Sequence, residues 1–428
     1  MLGDMTSHRR IATGATPFVS LITLLVLQIP VPDARADDWP WWRGPDRNGI
    51  AKADQMPPVK FSAKESVKWV TPIPGRGHGS AILVGDNVIL QAADEITQTQ
   101  SVICLDRKSG KPKWTKEVHR GGFPKTNSKA SHASSTPACD GERVFVNFVN
   151  GDSAYTTALN LQDGEQVWQK KISGYVVHQG YGSSPAIYQS LVIVSADNKS
   201  GGAVCAFNRT DGNEVWRVER PKTANYPSPI ILNVGGKDQV FMTGCELVSS
   251  IDPLTGEKLW EMEGATTECV TSTVTDGERI FTSGGYPKNH VAAIAADGSK
   301  KVVWENISRV YVPSMLVKDG YLYAIMDGGV VVCWNSATGE RMWKERLGGT
   351  FSSSPVMVGD RFYAASETGE FFVFKADDKN FELLATNQLG NEVMATPTIC
   401  DGQIFARVAV RSEGGNERQE FLYCIGAE

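Results

Sequence analysis

Six side chains stand at one recurring point of the sequence: His78, His132, Tyr181, Tyr226, Tyr311 and Phe351, with Glu268 and Glu392 at similar points. Each lies just before a Ser/Thr-Pro-type start, as in SSTPA at 134–138, SSPAI at 183–187 and PSPII at 227–231. If the repeating units close into a ring, these positions converge on one end of a central channel. Aromatic rings, imidazoles and carboxylates gathered there would line a funnel able to hold a peptide loop or a small ligand. The same residues would equally serve as plain packing of the channel mouth. Alanine at Tyr181 and His132 separates the two: the funnel reading expects weaker partner capture with stability kept, the packing reading a large loss of stability. His78 and His132 fall in neighbouring units and would bind a metal only if the ring sets them side by side; no metal site is assigned.

Other chemistry finds no foothold. The sequence contains no H-E-x-x-H, no G-x-S-x-G and no Walker lysine loop. Gly75-Arg76-Gly77-His78-Gly79 is glycine-rich, but it precedes a strand pattern, without the helix N-terminus that cradles phosphate; it reads as the turn into the first unit. No catalytic residue is assigned. The eight cysteines include no C-x-x-C and no adjacent pair. Cys104, Cys205, Cys333 and Cys424 occupy one place of the repeat, and Cys139 and Cys400 another. Equivalent points of different units lie too far apart to bond, so most read as small buried apolar residues.

The elements that must position these residues are strands. G-x-x-x-W recurs at Gly110/Trp114, Gly164/Trp168, Gly212/Trp216, Gly256/Trp260 and Gly339/Trp343, with a stretched copy at Gly298/Trp304. A β-type run precedes each glycine turn (SVICLD, YTTALN, AVCAFN, VVVCWN), and a Ser/Thr-Pro-type start and a further strand lie upstream. Each unit is therefore a four-stranded antiparallel meander of about 45 residues, the length of a propeller blade. Starts near Ser80, Ser135, Ser184, Ser228, Ser272, Ser314, Ser354 and Thr396 predict an all-β, eight-bladed β-propeller. The eighth unit lacks its fourth strand, and an orphan strand pattern at residues 66–72, with Trp69, supplies it and closes the ring. Trp69, Trp114, Trp168, Trp216, Trp260, Trp304 and Trp343 read as structural wedges between blades. Each would contribute on the order of 4–6 kcal/mol as an upper bound from the area it buries. The seventh unit replaces the glycine turn with Asp377-Asp378-Lys379-Asn380 and the tryptophan with Leu383-Leu384, which predicts the least regular blade.

The N-terminus reads as an export signal over residues 1–36: His8-Arg9-Arg10, an apolar stretch from Pro17 to Val31, and an Ala34-Arg35-Ala36 cleavage site. No cysteine follows that site to carry a lipid, and no later segment could span a membrane, so the expected location is periplasmic or secreted. Residues 37–65 form a lead-in opening DWPWWRGPDRNG, and 66–428 the propeller. So much aromatic surface demands a cover; its tryptophans are expected to fill grooves between blades, with an exposed binding arm as the alternative. The net charge of −5 and the lack of a basic block argue against nucleic acid.

The unit S-S-P…DG…V-x-A-x-(N/D)-x-x-T-G-x-x-x-W resembles the repeat of the pyrroloquinoline-quinone-type (PQQ-like) propeller superfamily, over about residues 66–428. The opening segment is similar to the D-W-P-x-x-R-G-x-x-x-x-G lead-in of such propellers in exported proteins of planctomycete-like bacteria. The resemblance implies one of two functions. One is a non-catalytic scaffold, like the propeller subunit of the outer-membrane β-barrel assembly machinery, acting as a monomer on protein partners in the cell envelope and without cofactor. The other is a quinoprotein dehydrogenase, or a degenerate relative, using PQQ and calcium. The missing adjacent cysteines, the absence of a C-x-x-C-H haem site and the short loops favour the scaffold.

Overall fold

The computed structural model describes residues 37–412, 414 and 417–427; the expected export signal lies outside them. The described residues form strands, turns and loops with no helix, so none is long and apolar enough to cross a membrane. Eight sheets follow in chain order, seven of them at 82–120, 138–174, 186–220, 230–263, 274–306, 316–346 and 356–388. The eighth joins three strands between Thr398 and Gly426 to Val67–Ile73, which pairs antiparallel with Arg418–Gly426 in the register Val67↔Ile425, Trp69↔Cys424 and Val70↔Tyr423. The chain is thus an all-β eight-bladed propeller whose last blade is completed from the N-terminal side. The innermost strands of blades one to six touch one another in turn. At the closing junction the Thr398 hydroxyl donates to the Ala81 carbonyl at 2.6 Å.

Burial follows from the layering. Second and third strands, as in Asn87–Asp94 and Thr99–Asp106, have a neighbouring blade on each face and are buried almost throughout. Outer strands meet solvent and alternate, as Val67–Ile73 does. The eight cysteines are all buried and unbonded, and burial pushes the Cys104, Cys139 and Cys205 thiols up to about 12.

The G-x-x-x-W spacing has a cross-blade cause. Each outer-strand indole lies over the turn of the next blade, not of its own, and every such turn but that of blade seven carries the glycine. A Cβ at Gly110 would stand 2.5 Å from the Trp69 ring, at Gly164 2.6 Å from Trp114, at Gly212 2.7 Å from Trp168 and at Gly339 2.6 Å from Trp304. The same indoles donate to a carbonyl of that turn: Trp69 to Arg107 (2.9 Å), Trp114 to Leu161 (2.9 Å), Trp168 to Arg209 (3.1 Å) and Trp304 to Ser336 (2.8 Å). The stretched copy departs. Gly298 stands 3.8 Å from Trp260, whose buried Nε1 has no partner among the described residues.

The seventh blade does not show the irregularity expected of it. Its four strands carry the same bulge between third and fourth as their counterparts, at Val373/Phe374. The Asp377 carboxylate accepts the Lys379 and Asn380 N–H groups at 2.7 Å each, the same side-chain cap that Asp252 and Asn335 supply in the glycine turns of blades four and six. Phe381 packs against both Trp343 and Phe374, with ring centroids at 5.9 and 5.0 Å.

The lead-in packs across one end of the channel: Trp39 joins the apolar cluster shared by blades one, seven and eight, Trp41 packs against that of blades two and three, and Trp42 lines the channel chamber. Trp39 exchanges both backbone hydrogen bonds with Leu83 of blade one, at 2.9 and 3.0 Å, and the Pro40 carbonyl accepts from Cys139 N–H of blade two. The Arg47 guanidinium caps the Trp41 ring at 4.6 Å and donates to the Ile187 carbonyl of blade three. Trp42 Nε1 donates to Ser272 Oγ of blade five at 2.8 Å. Arg43 reaches the Met315 carbonyl ahead of blade six, and Ile50–Ala51 adds a parallel fifth strand to Val356–Val358 of blade seven. An open row of inner-strand backbone groups is the physical reason for such a plug.

Candidate functional site

In an antiparallel meander the blade starts and the turns between second and third strands share one end of the channel, opposite the lead-in. A chamber of about 460 Å³ opens there, floored by Trp42.

Its wall is built from the Ser/Thr of the blade starts. Ser80 N–H donates to Thr136 Oγ1 (3.0 Å), Thr136 N–H to Ser184 Oγ (2.9 Å), and Ser184 N–H to Ser228 Oγ (2.8 Å). Ser272 N–H donates to Ser314 Oγ, Ser314 N–H to Ser354 Oγ and Ser354 N–H to Thr396 Oγ1, at 2.9–3.0 Å. Each hydroxyl thus ties its blade to the one before. In blade two the residue in the chain is Thr136, one beyond the Ser135 that marks the start in sequence.

The sequence-selected residues divide. His78, Tyr181, Tyr226 and Tyr311 line the chamber. His132 lies off it, its ring tilted against Phe123 with centroids 4.1 Å apart. Phe351 is buried against Phe372. Glu392 is held by Arg418 (2.8 Å) and Arg411, in a network that runs on to the buried pair Arg407–Glu420. Tyr181 is fixed too: its hydroxyl donates to the Ser195 carbonyl at 2.9 Å and its ring meets Tyr175 edge-on.

One member escaped sequence reading. His178 Nδ1 lies 3.2 Å from the Tyr226 hydroxyl and 3.1 Å from Glu268 Oε1, while Tyr311 O–H reaches Glu268 Oε2 at 3.4 Å. Burial, and then the Glu268 charge, raise both phenols above their ordinary range. His178 stands in VVHQGYG, three residues before Tyr181, outside the recurring position. Burial, and then the charges of Arg76, Arg407 and Arg418, hold His78 well below the usual imidazole range, so it stands neutral in the wall.

A strap over residues 121–134, joining blades one and two, crosses the mouth. Asn127 bonds Gln179 through backbone (2.8 Å) and side chain (2.7 Å). Lys129 Nζ pairs with Glu367 of blade seven at 3.0 Å, and Ser352 Oγ donates to the same carboxylate at 2.6 Å.

Rings, hydroxyls and amides dominate the lining; Lys129 is its one permanent charge and no described lining residue is a carboxylate. Calcium takes about six to eight oxygens, carboxylates prominent among them. The donor set therefore does not fit a calcium-bound quinone, and no step is derived through one. Among the described residues no three His, Cys, Asp or Glu side chains are grouped to hold a metal.

The family described as outer membrane protein assembly factor BamB matches residues 98–345, 287–381 and 326–415. The chain belongs to this family. It is 22% identical over 336 residues to the outer membrane protein assembly factor BamB of Moranella endobia (strain PCIT), covering 73% of this chain and 79% of that one. It is 26% identical over 247 residues to a polyvinylalcohol dehydrogenase of Pseudomonas sp, covering 53% of this chain and 36% of that protein. Among solved structures, a europium-containing methanol dehydrogenase superposes with a TM-score of 0.66 at 11% identity, over 91% of this chain and 98% of that one. At that identity the likeness is one of fold.

Proposed function

We propose that this propeller is a non-catalytic, extracytoplasmic scaffold that binds protein in the cell envelope as a monomer. The family match carries the reading, since it spans most of the ring and its description is that of an assembly factor. The lead-in plugs one end of the channel, which leaves the strapped end as the contoured face. Ile96, Val176, Tyr286 and Ile307 stand exposed in the turns and blade-to-blade loops of that end. Spread over the loops of blades one to three, five and six, these side chains offer a protein partner apolar points of contact among polar neighbours. The expected export signal at 1–36 supports a place outside the cytoplasm.

Photo-crosslinkers at Ile96 and Ile307, with Met56 in the lead-in as control, test this in the native cell. A discrete protein adduct from the first two positions and none from Met56 is expected. Equal labelling from all three, or no adduct, would remove the scaffold reading. The second reading, a quinoprotein-type dehydrogenase, draws on the polyvinylalcohol dehydrogenase relative. Dye-linked alcohol oxidation after adding PQQ and calcium would establish it in place of the first.

A further inference from the structure

Beneath the Trp42 floor the lead-in buries a positive charge. Arg43 is 3% exposed. Its Nη2 donates to the carbonyls of Asn48 (2.7 Å) and Met315. Its Nε and Nη1 are buried and have no partner, and no carboxylate pairs with it among the described residues. Burial pulls the guanidinium down to about 9. An unpaired ion away from water costs several kcal/mol unless a counter-charge accompanies it.

A small cavity borders Arg43. It measures about 10 Å³ and is lined by Arg43, Trp39, Trp42, Gly49 and the starts of blades one, seven and eight. Ser80 lines it as well; its hydroxyl is buried and unpartnered among the described residues, and the residue is 4% exposed. The space is about that of a single small particle. Two residues of its lining thus carry unpartnered donors, the guanidinium of Arg43 and the hydroxyl of Ser80. Both can donate, and the local charge is positive.

We propose that this cavity binds one small monovalent anion of chloride size, held by Arg43 Nε and Nη1 and by the Ser80 hydroxyl. A water would satisfy the donors but would leave the guanidinium charge uncompensated; a halide does both. Trp39, Trp42 and the start of blade one bound the same cavity, so the ion ties the lead-in to the ring.

Bromide substitution in crystals of the full mature chain tests the site directly. The expected result is an anomalous peak between Arg43 and Ser80, absent in Arg43→Met. In solution, Tm in sodium chloride should exceed Tm in sodium gluconate at equal ionic strength. The rise expected is roughly 2–4 °C at an anion concentration about a hundredfold above its Kd. It should disappear in Arg43→Met and shrink in Ser80→Ala, which serves if the first variant does not fold. A scatterer refining as water in bromide-soaked crystals, or an undiminished halide response in the variants, would overturn the assignment.

Discussion

At the scale of single residues the fold rests on a glycine and an indole that belong to different blades. Gly164 has φ +75° and its Cβ position is 2.6 Å from Trp114; Gly298 has φ +87° and its nearest neighbour is Trp260 at 3.8 Å. Alanine at either position meets the same left-handed backbone penalty, about 1 kcal/mol. Only at Gly164 does the methyl also displace a packed ring, and overpacking of that kind costs roughly 1–3 kcal/mol more. Gly164→Ala is therefore expected to lose more stability than Gly298→Ala by that margin, read from denaturant midpoints. Equal losses would mean that the glycine serves the turn alone. The repeat of Gly and Trp was legible in the sequence, but their partnership was not. They stand four positions apart along the chain, which invites pairing within a unit, whereas the contact runs to the next one.

Single elements were less legible. Strands announce themselves by alternation and by apolar runs between turns, and the closing strand was readable because Trp69 matches the blade tryptophans. The strap has no period, so its path over the mouth could not be drawn from residues 121–134. Neither could the meeting of Lys129 with Glu367, which are 238 positions apart. His178 was missed for the same reason: it joins Glu268 only because two blade starts converge. The lead-in announced that it needed a cover, but the channel end that covers it is built by inner strands scattered from Leu83 to Met357. The strap also carries a prediction. Lys129 is largely exposed, and an exposed ion pair contributes only about 0.2–1 kcal/mol. Lys129→Gln should leave Tm almost unchanged yet raise amide hydrogen exchange across residues 123–131, which the pair and Asn127 hold down. A marked fall in Tm, or unchanged exchange, would show that the strap is held otherwise.

For the whole molecule, eight copies of one unit make the architecture the most legible feature, since each blade leaves two apolar faces that only a neighbour can cover. A ring has one further requirement, that its two ends meet. The four-stranded meanders of blades one to seven are each continuous in sequence, blade seven taking only an added edge strand from Ile50–Ala51. The eighth alone has its four-strand meander completed by a segment some 350 residues away, through the ladder Val67–Ile73 with Arg418–Gly426. Opening that ladder parts the ring while the four-strand meander of every other blade stays paired, so unfolding of the toroid should begin there. A cross-link at this seam would shorten the unfolded chain's freedom more than one placed inside a blade, because the loop it closes spans the whole ring. Chain-entropy arguments give on the order of 4–5 kcal/mol for loops of about 100 residues or more, lessened by any strain in the bridge. Val70 and Tyr423 are register partners. Val70→Cys with Tyr423→Cys, oxidised, should raise Tm by several degrees over the same protein reduced, and should slow unfolding. A matched pair at Val144 and Leu159, register partners within blade two, closes only a short loop and should give a much smaller gain. If the two bridges stabilise equally, the ring does not open at its seam, and the interlocked ends are no weaker than the blades they join.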